Sequence, residues 1–413
     1  MPTPINSGDT AWLLVASALV MLMTPGLALF YGGMVQSKNV LSTFMHSFFA
    51  LGLVSLQWAL CGYSLAFGQT HGGLIGGLDF VLLHGVGMEA KAGTTVPHLV
   101  FLMYQGMFAV ITPALISGAF AERMKFSAYC LFTLLWATLV YDPIAHWVWG
   151  EGGWLLKLGA LDFAGGTVVH LASGVSALVT ALVLGRRVSG PSVPHNLTMT
   201  VLGAGLLWFG WFGFNAGSAL GANGLAALAF ANTHLAAAAG AVAWGLVEAR
   251  RLGKITMLGV ASGLVAGLVG ITPASGFVSP LAAIAIGALA GLVCYGGVLL
   301  KGKFGYDDAL DAFGVHGVGG ALGALATGVL AARVWNPAGA DGLLAGGTKL
   351  LVAQLTGIGA VAAYSALVTA LILKLIQGTI GLRVEPEQER EGLDSILHGE
   401  SAYTLGTGST RHD

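Results

Sequence analysis

Apolar runs long enough to cross a bilayer follow one another along almost the whole chain, and that single feature leaves few folds open. A helix needs about 20 residues to span the hydrocarbon core. Eleven segments of that order are predicted, near 10–34, 42–68, 98–121, 126–149, 164–185, 197–217, 224–248, 256–273, 277–300, 309–332 and 347–381. The eighth is interrupted by Gly259, Gly263, Gly267 and Gly270, and the last is long enough to project beyond the bilayer. Charged residues make up only 9% of the 413 residues, against about 25% in ordinary soluble domains, too few to solvate a globule of this size. The expected fold is therefore an all-α polytopic membrane protein in contact with the lipid bilayer. The 64 glycines suit a tightly packed bundle, since small residues let helix backbones approach closely in lipid. No Gly-X-Y period supports a collagen reading.

Other function classes are weakened by the same composition. A net charge of −1 leaves no nucleic-acid footprint. Cys61, Cys130 and Cys294 lie in apolar runs without CxxC or zinc spacing, so no disulfide framework, metal or cofactor is expected. Met1 to Asp9 carries no Lys or Arg and so lacks the basic start of a signal peptide.

An odd number of spans puts the termini on opposite sides, and Lys/Arg bias decides which side is inside. With the N-terminus outside, the cytoplasmic loops hold Lys38, Arg123, Lys125, Arg186, Arg187, Arg250, Arg251, Lys254, Lys301 and Lys303, and the tail region adds Lys374, Arg383, Arg390 and Arg411. The external loops hold only Lys91, Lys157, Arg333 and Lys349. N-out, C-in is expected. Residues 1–381 form the transmembrane domain, and the polar stretch 382–413 is a cytoplasmic tail.

Two histidines stand in matching frames. Asp162-Phe-Ala-Gly-Gly-Thr-Val-Val-His170 and Asp308-Ala-Leu-Asp-Ala-Phe-Gly-Val-His316 each place an aspartate eight residues ahead of a histidine. An ionisable group at membrane depth is a functional-site hypothesis by default. The frames fall in spans five and ten, so about 10–185 and 197–332 are candidate repeats. Five is odd, so the second copy is inverted relative to the first, with an eleventh helix (about 347–381) outside the repeat. Inverted repeats are typical of transporters that bind near the midplane.

Several motifs then read together. Thr24-Pro-Gly-Leu-Ala-Leu-Phe-Tyr-Gly-Gly33, the Asp162–His170 frame, Trp211-Phe-Gly-Phe-Asn-Ala-Gly-Ser218 and Val315-His-Gly-Val-Gly-Gly320 resemble the signatures of the ammonium transporter family, in its bacterial Amt branch. Gly392-Leu-Asp394 followed by His398-Gly-Glu-Ser-Ala-Tyr403 resembles that family's cytoplasmic tail. The resemblance covers essentially the whole chain. It implies a non-enzymatic ammonium transporter of the bacterial inner membrane, eleven helices with a pore in each subunit of a homotrimer, a docked tail, and a PII-type signalling protein as a cytoplasmic partner.

The resemblance also implies roles residue by residue. Phe108, Trp149 and Ser218 match an external recruitment site. Aromatic faces attract a cation by about 0.5–2 kcal/mol, and a serine oxygen accepts an N–H hydrogen bond that ammonium offers and K⁺ does not. The competing readings are an interfacial tryptophan, like Trp147 and Trp154, and a serine bonded back into its own helix. Phe108 and Phe214 match a pair of stacked rings that gates the pore, against the alternative of core or lipid-facing phenylalanines. His170 and His316 match twin pore histidines that pass ammonia, because an ammonium ion pays a large desolvation cost in an apolar path. Asp162 matches a supporting aspartate that either stabilises the cation or caps its helix. Asp308, with Asp311 nearby, is its cytoplasmic counterpart, and Trp211 and Thr272 match positions near the pore. His98, His146 and His234 have no paired motif. His46, mid-segment and outside the family pattern, is expected at a subunit contact or the vestibule.

Two rivals come from other classes. An intramembrane metalloenzyme using His170, His316 and Asp162 lacks HExxH-type spacing. Eight helical residues also separate Asp162 from His170 by roughly 12 Å. An ammonium sensor lacks a signalling domain after the short tail, which leaves a partner-mediated form of that reading.

Overall fold

The computed structural model describes residues 4–190 and 193–403. Ten of its helices are long and apolar enough to cross a membrane, and one further apolar helix is shorter. In chain order they are α1 (Ser7–Met34), α2 (Ser37–Phe67), α3 (His98–Phe120), α4 (Phe126–Leu158), α5 (Gly166–Leu184), α6 (Leu197–Gly217), α7 (Gly224–Leu252), α8 (Met257–Ile271), α9 (Pro280–Phe304), α10 (Phe313–Leu330) and α11 (Lys349–Thr379). The chain is a polytopic α-helical membrane protein. A small antiparallel hairpin, β1 (Thr70–His71) and β2 (Ile75–Gly76), interrupts the α2–α3 connection.

The eighth segment, expected near 256–273, is a helix at Met257–Ile271. Its four glycines do not break it: α8 runs unbroken between a Thr256 cap, whose side chain accepts from the Gly259 N–H, and Thr272. Gly259, Gly263 and Gly267 face α7 and Gly270 faces α9, and a Cβ on Gly263 or Gly267 would collide with α7 backbone. Close helix contact in lipid comes from small residues of this kind. Elsewhere α1 packs along α6, and α7 against α8 and α9. The fourth segment runs helical to Trp149 and resumes at Trp154–Leu158. Four spans carry π-turns: Trp58–Gly62, Ala137–Tyr141, Gly166–Leu171 and Phe313–Gly317. Such turns occur often at functional sites.

The charge-rich tail is docked. Helix α12 (Pro386–Glu391) begins with a capping box. Glu389 accepts from the Val188 N–H (2.5 Å) and pairs with Arg383 (2.6 Å). The Asp394 carboxylate caps α2 by accepting from the N–H groups of Leu41 (3.0 Å) and Ser42 (2.8 Å), and Leu393 is buried. Composition alone would give a solvated segment; specific carboxylate-to-backbone bonds hold it down instead. Arg411 and the rest of 404–413, like Met1 to Thr3, lie outside the described residues. Beneath the tail, Arg187 bridges Glu122 (2.7 Å) and Asp307 (2.8 Å), tying three loops together.

His46 departs from expectation. It is 1% exposed, enclosed by the rings of Phe120 and Tyr129, so it faces neither a vestibule nor an outer surface of this chain.

Candidate conduction site

The site is built from α1, α3, α4, α5, α6, α8 and α10. At one end, Phe108, Trp149 and Ser218 line a single depression with Phe101, Gln105 and Phe163. Phe108 meets Trp149 edge to face, with ring centroids 5.9 Å apart, and the Trp149 indole N–H donates to the Asp162 carbonyl (2.9 Å). That bond fixes the ring beside the depression that Trp149 lines. Ser218 does bond back, donating to the Phe214 carbonyl (2.9 Å). Its hydroxyl proton being engaged, its oxygen is left as an acceptor. The Tyr104 hydroxyl lies 3.2 Å from that oxygen and 2.9 Å from the Gly213 and Phe214 carbonyls. Tyr104 was invisible in the sequence, because nothing there distinguishes it from other tyrosines.

Below the depression, Phe108 and Phe214 stack with centroids 4.2 Å apart and both are buried. Under them lies an enclosed cavity lined by Leu27, Ile111, Leu115, Val265 and other apolar groups; apart from the Trp211 indole, its only polar side chains are His170 and His316. The two imidazoles lie nearly parallel, Nδ1 to Nδ1 at 3.2 Å. A hydrogen bond between two like nitrogens requires one to donate and the other to accept. A neutral pair sharing one such proton therefore presents one bare Nε2 and one Nε2–H. Trp211 stacks on His170 (5.3 Å), and its indole N–H donates to Thr272 Oγ1 (2.9 Å), which donates to the Leu268 carbonyl (2.7 Å). Thr272 thus reaches the site only through Trp211.

Each histidine sits on a π-turn begun by its aspartate. Asp162 accepts from the N–H groups of Gly165 (2.8 Å), Gly166 (2.6 Å), Thr167 (2.7 Å) and Val168 (3.2 Å), and from the Thr167 hydroxyl (2.5 Å). Asp308 accepts from Ala312 (3.0 Å) and Phe313 (2.8 Å). Both carboxylates satisfy backbone donors that a helix start leaves without partners. Asp311 plays no such part; it pairs with Lys301 at 2.5 Å in a left-handed backbone conformation. Burial, reinforced by the Asp311 charge, pushes the Asp308 carboxyl up to about 6.

The two helices carrying the histidines touch through glycines. A Cβ on Gly174 would overlap the Gly317 backbone, and one on Gly320 would lie 2.5 Å from the Gly166 carbonyl. Both glycines stand four residues after a histidine. The repeated frame thus extends to aspartate, histidine and glycine, a signal present in the sequence beyond the aspartate–histidine match. The three histidines without a paired motif make packing contacts: His98 bonds the Tyr63 hydroxyl (2.5 Å), His146 the Ala66 carbonyl and the Thr70 hydroxyl, and His234 stacks on Trp208.

Comparison with known proteins agrees with this architecture. The model of the Ammonium Transporter Family matches residues 11–403. An ammonium transporter of Bacillus subtilis is 56% identical over 97% of this chain and 99% of its own length. Among solved structures, Mep2 of Saccharomyces cerevisiae superposes with a TM-score of 0.87 at 40% identity, covering 93% of this chain and 91% of that one. A protein named as a sensor Amt protein superposes with a TM-score of 0.88 at 30% identity, covering 94% and 98%. The chain belongs to the ammonium transporter family, whose members are multi-pass transporters of the cell membrane and not enzymes.

Proposed function

We propose that ammonium is recruited at Phe108, Trp149 and Ser218, gives up a proton there, which either returns to the external water or follows along the histidine pair, and passes as ammonia between Phe108 and Phe214 and along His170 and His316. The observation that carries this reading is the enclosed cavity, in which two mutually bonded imidazoles are the principal polar groups in an apolar wall. An ion entering it would lose hydration without gaining a counter-charge, whereas ammonia needs only one donor and one acceptor, and the pair offers both. Asp162 and Asp308 support the path by fixing the turns that aim the histidines, and Trp211 with Thr272 holds the face of His170. N-out, C-in orientation follows from the basic loops gathered on the side where the tail docks. By resemblance, the assembly is a homotrimer and a PII-type protein docks on its cytoplasmic face.

The test is the current, or flux of methylammonium, in proteoliposomes after a concentration jump. A response to ammonium, none to K⁺, and a reduced response in His170→Ala and His316→Ala are expected. Wild-type rate and selectivity in both variants would overturn the reading. The likeness to a sensor Amt protein favours one second reading, binding coupled to signalling through a partner. Saturable ammonium binding without flux in the same liposomes would support it.

A further inference from the structure

Away from the conduction path, α2 and α4 each carry a π-turn, and between them lies a buried polar pair. Asp142, which follows the turn Ala137–Tyr141, is 0% exposed; Gln57, which precedes the turn Trp58–Gly62, is 6% exposed. Gln57 Nε2 donates to Asp142 Oδ2 (2.7 Å) and to Thr138 Oγ1 (3.1 Å), while the Thr138 hydroxyl donates to the Leu134 carbonyl. Both amide protons are therefore used. Two buried acceptors remain without a donor, Gln57 Oε1 and Asp142 Oδ1. No Lys, Arg or His among the described residues pairs with this carboxyl, and neither residue lines the conduction cavity.

An unpaired carboxylate inside a membrane-spanning segment is strongly disfavoured. A carboxylic acid facing a carboxamide is not, because the two form a closed pair: amide N–H to acid carbonyl, acid O–H to amide carbonyl. A proton on Asp142 removes the buried charge and turns one of its orphaned oxygens into a donor, with the unpartnered Oε1 of the same Gln57 as the acceptor that such a pair uses. Rotating the amide of Gln57 does not remove the need, since it sets Oε1 2.7 Å from Oδ2, a distance two bare oxygens hold only with a proton between them. Cys61 and Tyr141 also face Asp142; neither brings a positive charge, and the buried Tyr141 hydroxyl makes no hydrogen bond to either member of the pair. We propose that Asp142 is a proton-binding site within the membrane, separate from the histidine pair, and that Gln57 is the residue that holds its acid form.

Infrared difference spectroscopy of the full chain in liposomes, at neutral pH and in light and heavy water, tests this. Expected is a carboxylic-acid C=O band in the wild type that is missing in Asp142→Asn, whose amide mimics the neutral acid in shape and hydrogen bonding. In Gln57→Leu the band persists and moves to higher frequency, because the acid carbonyl has lost its N–H donor. Excess sodium leaves the band unchanged. Identical spectra for wild type and Asp142→Asn, meaning an ionised carboxyl, would overturn the proposal. So would a band that sodium removes, which would make this a metal-cation site. If Asp142→Asn is not recovered folded, Gln57→Leu decides, and an unshifted band counts against Asp142.

Discussion

Gly174 and Gly320 occupy equivalent places, each four residues after one of the paired histidines and each against the backbone of the opposite histidine helix. Their missing side chains set how near α5 and α10 come, and hence whether the imidazoles reach each other. Gly174→Ala must push Gly317 away. Overpacking of this kind destabilises by about 1–3 kcal/mol, and here the backbone that must give way is that of His316 and Gly317. The expected result is a folded but less stable protein whose methylammonium flux falls at least as far as in a single histidine variant. A Gly174→Ala protein with wild-type melting temperature and flux would show that the contact does not set the pair.

The bond between His170 and His316 makes their effects inseparable. Once one imidazole is gone, the other has lost the partner that fixes its tautomer. In a cycle built from His170→Ala, His316→Ala and the double variant, the double is expected to lose less flux than the product of the two single losses, with a coupling within the 0.5–3 kcal/mol found for contacting residues. Strict multiplicativity in measured rates would mean the two act independently.

Much of this was legible in the sequence because membranes restrict folds so severely. Long apolar runs can only be helices when all are buried in lipid, so ten of the eleven spans announce themselves by composition. The remaining span, α8, is placed as well, but it is the shortest, and its glycines look like breaks in one dimension and are contacts in three. Phe108, Trp149 and Ser218 come from α3, α4 and the end of α6, and only family motifs link them in sequence. The tail was illegible by composition because its order rests on particular acceptors, Glu389 and Asp394, finding backbone N–H groups more than 200 residues away. Tyr104 left no signal at all.

Asp162 offers a way to separate a capping role from proton acceptance. Its two oxygens serve four backbone N–H groups and one hydroxyl, whereas an asparagine would present one oxygen and turn an N–H₂ group toward donors. Each buried donor left without a partner costs about 1–3 kcal/mol. Asp162→Asn is therefore expected to lower the melting temperature clearly while the folded fraction retains measurable flux. Abolished flux in a protein of unchanged stability would instead mark Asp162 as the group that takes the proton from ammonium.

Asp308 gives the cytoplasmic end a pH dependence of definite sign. In the folded chain burial and Asp311 hold its carboxyl at about 6, above the ordinary value of about 3.9. Between these values the folded state binds more protons than the unfolded one, so stability falls as pH rises through that window and levels off above it. The whole effect is at most about 3 kcal/mol. Asp308→Asn does not titrate, and its melting temperature is expected to vary less from about pH 4 to about pH 6.5 than that of the wild type. The asparagine oxygen still accepts one of the two N–H groups at Ala312 and Phe313, so the variant folds and the comparison is of slopes. Parallel melting profiles for the two proteins would mean that Asp308 is ionised throughout, its charge met by the helix start and Lys301.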